Sequence, residues 1–220
     1  MRVPSIYYFD ESILILEYIH FGEKVKGSSF KLGQGLAHLH SYTDRCFGFE
    51  YDNYIGRNVQ KNTPQLRHSD YSWGGFFYYY RIKVQLELCL SKGLCTEELK
   101  KRLMGLEGKL GSLVDDGELP SFLHGDLWSG NIFFDESGFP CIVDPAVYFG
   151  HREAEFGMIT LFGGFDSDFF AGYMETFPLK AGWEERVKVY QLYHLLNHLN
   201  LVGNSYYNSI IELLNDLNLS

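Results

Sequence analysis

The sequence predicts an α+β fold, mainly helical, with one short β-hairpin set among the helices. Three observations predict it. Apolar residues recur at helical spacing over 29–40, 73–90, 96–114, 184–201 and 206–217. The strand-like runs Ile132-Phe133-Phe134 and Cys141-Ile142-Val143 flank the turn Asp135-Glu136-Ser137-Gly138. A third apolar run, Ser12 to Ile19, reads as a strand ending in a short connector.

In chain order, Gly22-Glu23-Lys24-Val25-Lys26-Gly27 reads as a polar turn after that strand. Ser29 to His40 follows as a helix, with Phe30, Leu32, Leu36, Ala37 and Leu39 at core-facing positions. His38 and His40, two residues apart, point to different faces, which argues against a metal pair. Residues 46–70 lack periodicity and hold Gly48, Gly56 and Pro64, so they read as one long loop. Trp73 to Leu90 is an aromatic helix whose Trp73, Phe76, Phe77 and Tyr80 make a core stripe. Thr96 to Val114 is one amphipathic helix capped by Thr96, with Glu97 and Glu98 in its first turn, and Asp115-Asp116-Gly117 ends it. Beyond the hairpin, Arg152-Glu153-Ala154-Glu155 opens a helix, and Asp166 or Asp168 caps the next. The last two helices run from Glu184 to Leu201 and from Tyr206 to Leu217. His194 and His198 in the first of them are read as hydrogen-bonded core residues.

Composition bounds the function. With 220 residues, 45% hydrophobic and 21% charged, the chain can bury a full core in one body. A formal net charge of −9 argues against a nucleic-acid partner, whose backbone is bound by clustered Lys and Arg. No apolar run approaches the roughly 20 residues of a membrane span, and no basic-then-apolar leader opens the chain. No membrane partner is expected, and the expected location is cytoplasmic. The four cysteines show no metal-ligand spacing and read as reduced thiols. Nothing in the chain specifies an oligomeric state.

The chemistry concentrates in His124-Gly125-Asp126-Leu127-Trp128-Ser129-Gly130-Asn131 and in Asp144 of Ile142-Val143-Asp144-Pro145. An aspartate five residues before an asparagine, with a second aspartate beyond a hairpin, is the arrangement of a phosphotransfer loop. Phosphoryl transfer needs an oriented hydroxyl and neutralised phosphate charge more than covalent help. Asp126 is the candidate base that takes the hydroxyl proton. Asn131 and Asp144 are hard oxygen ligands suited to Mg2+ on the phosphates of ATP. His124 is read as bracing the loop. The hairpin brings Asn131 and Asp144 to adjacent strand ends, as a metal clamp requires.

These residues, with Asp144-Pro145-Ala146-Val147-Tyr148-Phe149-Gly150-His151-Arg152-Glu153-Ala154-Glu155, resemble the fructosamine kinase (ketosamine kinase) family, a branch of the aminoglycoside phosphotransferase and choline kinase group. Leu161-Phe162-Gly163-Gly164-Phe165, the run Tyr190 to Leu201, and Asp52-Asn53-Tyr54-Ile55-Gly56 extend the likeness over nearly the whole chain. The resemblance implies a protein-kinase-like fold and ATP-dependent phosphorylation of a sugar hydroxyl on a ketosamine, free or protein-bound, in deglycation repair. It also implies a cleft-supporting role for Arg152 and Glu153, and a place near the substrate for Asp52 to Gly56.

Such a fold carries a first lobe with a glycine-rich strand pair and a strand lysine. About a dozen residues precede the Ser12–Ile19 strand, too few for three strands and a helix. The expectation is therefore a helical C-terminal lobe over 21–220 with the catalytic hairpin, and only a remnant of the N-terminal lobe in 1–20. Glu17, Tyr18 and Ile19 would be the adenine-binding hinge. The chain alone is expected to turn over weakly or not at all. The alternatives are a non-catalytic kinase-like lobe, or a kinase for another hydroxylated amine such as choline or an aminoglycoside.

Overall fold

A computed structural model describes residues 1–63, 72–114 and 117–217. Two strands open the chain, β1 (Ile6–Phe9) and β2 (Leu14–Leu16), paired antiparallel. The turn between them is held by Asp10, whose carboxylate accepts from the N–H of Ser12 (2.7 Å) and Ile13 (2.8 Å). The strand expected over 12–19 is shorter than expected, and it has a partner that the sequence left unassigned.

Helix α1 (Ser28–His40) follows, and then an antiparallel hairpin of β3 (Asn53–Ile55) and β4 (Asn58–Gln60). This hairpin corrects the long loop expected over 46–70, of which 64–70 lie outside the described residues. Its strands are three residues long and polar, so they carry no alternation to read. They are held by side-chain bonds to the core: Asn53 donates to the Val147 carbonyl and Gln60 to the Ala146 carbonyl, each at 2.8 Å.

The aromatic helix is present as α2 (Trp73–Phe77) and α3 (Lys83–Ser91), joined by a wider π-turn over Tyr78–Ile82. Its stripe is core: Trp73, Phe76 and Phe77 are buried. Arg81, inside the π-turn, is buried against the Tyr148 ring, 4.1 Å from its centroid, and donates to the Asn62 side chain. The single helix expected over 96–114 is instead two, α4 (Glu97–Met104) and α5 (Leu110–Val114). Gly105 and Gly108 lie in the break, where helix propensity is lowest. Thr96 caps α4 as expected, accepting from the Leu99 N–H at 3.1 Å. Residues 115 and 116 of the expected stop lie outside the described residues.

Four more strands follow: β5 (Ser121–Leu123), β6 (Ile132–Phe134), β7 (Pro140–Ile142) and β8 (Tyr148–Gly150). β6 pairs with β7 as the expected hairpin, and β5 pairs with β8, a pairing not anticipated. Four helices complete the chain: α6 (Glu153–Phe162), α7 (Ser167–Thr176), α8 (Trp183–Val202) and α9 (Tyr207–Asp216). Asp166 caps α7, accepting from the Phe169 N–H at 3.1 Å. α1 packs along α7, and α6 along α8. At the first of these contacts a Cβ on Gly33 would stand 2.0 Å from the Phe169 carbonyl oxygen, so the two backbones touch where a side chain has no room.

The core is one apolar cluster reaching from α1 to α9. No helix among the described residues is long and apolar enough to cross a membrane. The β6–β7 hairpin, which carries the site, is pinned on both edges by the start of the chain. Arg2 bridges to Cys141 beside β7, while Phe21 bridges to Asp135 and stacks on Phe133 beside β6.

Candidate active site

The catalytic loop leaves β5 and is shaped by its own backbone. Gly125 sits at φ +81°, and a Cβ there would lie 2.1 Å from the Ala146 carbonyl oxygen. Gly125→Ala is therefore expected to destabilise the fold by about 1–3 kcal/mol, read as a lower urea midpoint with unchanged slope.

His124 braces the loop as the sequence suggested. Its Nε2 lies 2.9 Å from the Val143 carbonyl oxygen, and its Nδ1 accepts from the Asp126 N–H at 3.3 Å. This pattern fixes the neutral tautomer with the proton on Nε2. Burial lowers its pKa and keeps it neutral. An imidazole so engaged is a strut between the loop and the hairpin.

Asn131 and Asp144 come together at the open end of the β6–β7 hairpin. The ladder pairs Ile132 with Ile142, and the Val143 N–H then donates to the Asn131 carbonyl at 3.0 Å. The Asn131 side-chain amide donates to the backbone carbonyls of Asp126 (2.8 Å) and Asp144 (3.4 Å). With its NH2 spent on the loop, Oδ1 is the pole left for a cation. Asp144 has φ +53°, the one positive φ at a non-glycine residue among those described. Such a conformation costs about 1–3 kcal/mol and persists where function requires it. The donor set, one carboxylate and one amide oxygen, fits Mg2+, which favours hard oxygen ligands and keeps its remaining positions for water and phosphate.

The Asp126 carboxyl is pushed up to about 6, first by burial and then by the negative charges of Glu155 and Asp144. A carboxylate raised toward neutrality is a better proton acceptor than an ordinary one. One acid and one metal ligand therefore share the negative field of a single loop.

Glu155 is the residue that sequence reasoning placed in the right motif without singling out. Its side chain is buried, and it accepts from the N–H of His124 (2.6 Å) and of Gly125 (3.0 and 3.2 Å). Burial works against its charge. The side chain of His40, the nearby His124 and the loop N–H groups nonetheless hold its pKa below the ordinary range. Glu155 is thus the clamp on the catalytic loop. Arg152 and Glu153, expected to support the cleft, are committed elsewhere. Arg152 forks onto Glu118 with two 2.8 Å bonds, and Glu153 pairs with Arg186 at 2.6 and 2.7 Å. The signal in the sequence was two acids two residues apart at the mouth of an apolar helix, of which only the second faces the loop.

Glu17, Tyr18 and Ile19 follow β2 on the way to the β6 edge. Glu17 accepts from the Ser5 N–H at 3.1 Å and pairs with Arg2 at 2.5 Å. Tyr18 is exposed and Ile19 buried. Phe21 then stacks on Phe133, so this connector ties the first hairpin to the catalytic one. A cavity of about 380 Å3 lies between the two hairpins, lined by Ile6, Leu14, Leu16, His124, Ile142 and Asp144 among others. Glu17, Tyr18 and Ile19 do not line it. Asp52 to Gly56 sits on β3, where Asn53 supports the strand that follows Asp144. His40 is buried, His198 contacts the His194 carbonyl, and no His, Cys, Asp and Glu cluster among the described residues could hold a metal by itself.

Comparison with known proteins shows the family. A profile of the fructosamine kinase family matches residues 1–219. The chain is 39% identical over 219 residues to an Enterococcus faecium protein named "probable ketoamine kinase", covering 97% of this chain and 76% of that one. It is 38% identical over 208 residues to a chloroplastic protein-ribulosamine 3-kinase of Oryza sativa, covering 93% of this chain but only 58% of that protein. A crystallised Thermobifida fusca protein assigned as a fructosamine-3-kinase superposes with a TM-score of 0.88 at 29% identity, over 99% of this chain and 74% of the other. The gentamicin complex of an aminoglycoside phosphotransferase superposes with a TM-score of 0.56 at 16% identity, which shows the shared protein-kinase-like fold. With the family profile matching nearly the whole chain and a relative at 39% identity, the chain belongs to the fructosamine kinase family.

Proposed function

We propose that this chain carries the site of an ATP-dependent kinase that phosphorylates a sugar hydroxyl of a ketosamine, the first step of deglycation repair. The observation that carries the proposal is the meeting of a half-buried Asp126, its carboxyl pushed up to about 6, with Asn131 and Asp144 at one hairpin end. Relatives named for ketoamine and ribulosamine kinases support the substrate class.

In this reading the substrate hydroxyl donates a hydrogen bond to the Asp126 carboxylate. As its oxygen bonds to the γ-phosphorus of ATP, the proton passes to Asp126 and the bond to the bridging oxygen of ADP breaks. Mg2+ held by Asn131 and Asp144 would neutralise phosphate charge. Glu155 and His124 keep the base from turning away, which is the positioning that this chemistry depends on. Tyr18 and Ile19, with Glu17, remain our candidates for the adenine hinge, since they lead the chain to the edge of β6.

Turnover by these 220 residues alone is expected to be slow. Lys24 is paired with Asp166 at 2.5 Å and Lys31 stands over the Phe139 ring, so neither supplies the lysine that steadies the phosphates in such folds. The free thiols of Cys46, Cys89, Cys95 and Cys141 suit a reducing compartment, and we place the protein in the cytoplasm.

The rate should follow the protonation of Asp126. Its folded pKa is raised, so the base is blocked by a proton at low pH and free above it. The kcat/KM profile, taken with Mg2+ present, is expected to rise through a midpoint near or below about 6, since the metal offsets the charge of Asp144. A profile flat across that range would contradict the assignment. The substrate is tested by presenting fructosyl-lysine, ribulosyl-lysine, choline and an aminoglycoside with enzyme in excess. Phosphorylation of the first two alone is expected, and phosphorylation of choline or the aminoglycoside alone would overturn the ketosamine reading.

A further inference from the structure

Behind Glu155 lies a buried row of side chains that none of the steps above uses. His40, from α1, is buried, and its Nε2 stands 3.5 Å from Oε2 of Glu155. Its Nδ1 is 2.8 Å from the Tyr173 hydroxyl of α7. Arg152 Nη1 stands 3.5 Å from that same hydroxyl, while its other bonds go to Glu118 and to the carbonyls of Phe177 and Pro178.

We infer that His40 is a positioning residue for Asp126, acting through Glu155, and that Arg152 and Tyr173 set its tautomer. The inference rests on the reading of Asp126 as the base. Its logic is directional. A guanidinium has donors and no acceptor, so Arg152 can only donate to the Tyr173 oxygen. Were Nδ1 to donate instead, the buried Tyr173 O–H would have no acceptor among the described residues, so the Tyr173 proton is directed to His40 Nδ1. The remaining proton of the neutral imidazole sits on Nε2 and faces the Glu155 carboxylate. The opposite tautomer would set a lone pair against a buried anion at that 3.5 Å contact, and Nε2 makes no formed hydrogen bond to any described residue that would favour it. Burial lowers the His40 pKa, so the ring acts as a neutral donor.

The row therefore runs with one polarity from Arg152 through Tyr173 and His40 to Glu155, whose two oxygens also receive the N–H groups of His124 and Gly125. Two N–H groups from the loop side and the 3.5 Å contact of His40 from the other hold the carboxylate plane. Without His40 the carboxylate can swing, and the peptide that precedes Asp126 swings with it. Helices α1 and α7, far from the reacting atoms in sequence, would then contribute to the rate.

Nitrogen-15 NMR of the imidazole rings tests the inference without need of any activity, with His40 identified by the signal missing from His40→Gln. The expected result is a proton on Nε2 and an acceptor Nδ1 across neutral pH, with loss of that single form in Tyr173→Phe. A proton on Nδ1 in the unaltered protein would overturn it, whether or not ketosamines prove to be substrates. Kinetics give the second arm. His40→Leu is expected to lower kcat about tenfold or more with both KM values nearly unchanged, while His40→Gln, which keeps a donor near Nε2, recovers most of the rate. Equal rates in Leu and Gln variants, or a loss confined to KM, would contradict it. Should the Leu variant fail to fold, Tyr173→Phe carries the same kinetic test, with a smaller fall in kcat.

Discussion

Asp126→Asn is expected to lower the rate of phosphate transfer by about 10²- to 10⁴-fold while leaving Mg-ATP binding in place. The amide keeps the shape of the carboxyl but cannot take the hydroxyl proton. Asp126 is half-buried and makes no salt bridge among the described residues; its backbone carbonyl, not its side chain, is what Asn131 holds. The loop should therefore keep its geometry. Stability is expected to hold or rise, because the substitution also removes a carboxyl crowded by Glu155 and Asp144. Single-turnover assays beside thermal denaturation separate the two effects. A variant that lost rate and melting temperature together would point to a structural role for Asp126.

Asp144→Asn is expected to have an effect of similar size on rate, by a different route. It exchanges a charged metal ligand for a neutral one at the φ +53° position, a conformation that Asn tolerates as well as Asp. Backbone strain is unchanged, and the repulsion on Asp126 is relieved. The expected outcome is loss of Mg2+-dependent turnover by about 10²-fold or more, a Mg-ATP affinity clearly weakened, and a melting temperature no lower than the parent's. The Asp126 midpoint, read in the kcat/KM profile of whatever rate remains, should fall. Calorimetry with and without Mg2+ checks the binding part, and unchanged metal dependence would show that the cation sits elsewhere.

The site was legible in the sequence because its chemistry is local. Asp126, His124 and Asn131 lie in eight consecutive residues, and the hairpin that brings Asp144 to them is bounded by a turn with Asp135, Ser137 and Gly138. Helices α1, α8 and α9 were legible for the same reason, since each holds an apolar face at helical spacing, while α6 and α7 were read from their opening charges and cap. What escaped depends on partners distant in sequence. The β3–β4 hairpin is built from Asn53, Asn58 and Gln60, residues that favour loops, and it exists because Val147 and Ala146 offer them carbonyls across the core. β5 and β8 are three residues each and find one another across the catalytic segment. Glu155 could not be told from Glu153 by residue type. Only the turn of α6 decides which carboxylate meets the loop and which meets Arg186.

The split of α4 from α5 is a milder case. Leu99, Leu103, Leu106, Leu110 and Val114 keep a core-facing spacing through the break, so periodicity alone reads straight across it. The glycines at 105 and 108 were the available signal, and the buried leucines outweighed them. Tertiary burial here keeps the stripe while the backbone gives way.

The account stands on transfer of phosphate to a ketosamine by the Asp126 loop. Phosphorus-31 NMR of a long incubation with Mg-ATP and ribulosyl-lysine or fructosyl-lysine tests it most directly. The account predicts a sugar phosphomonoester signal that grows with the protein, needs Mg2+ and is missing with Asp126→Asn. Release of inorganic phosphate with no sugar ester, or an ester that forms equally well with Asp126→Asn, would contradict it.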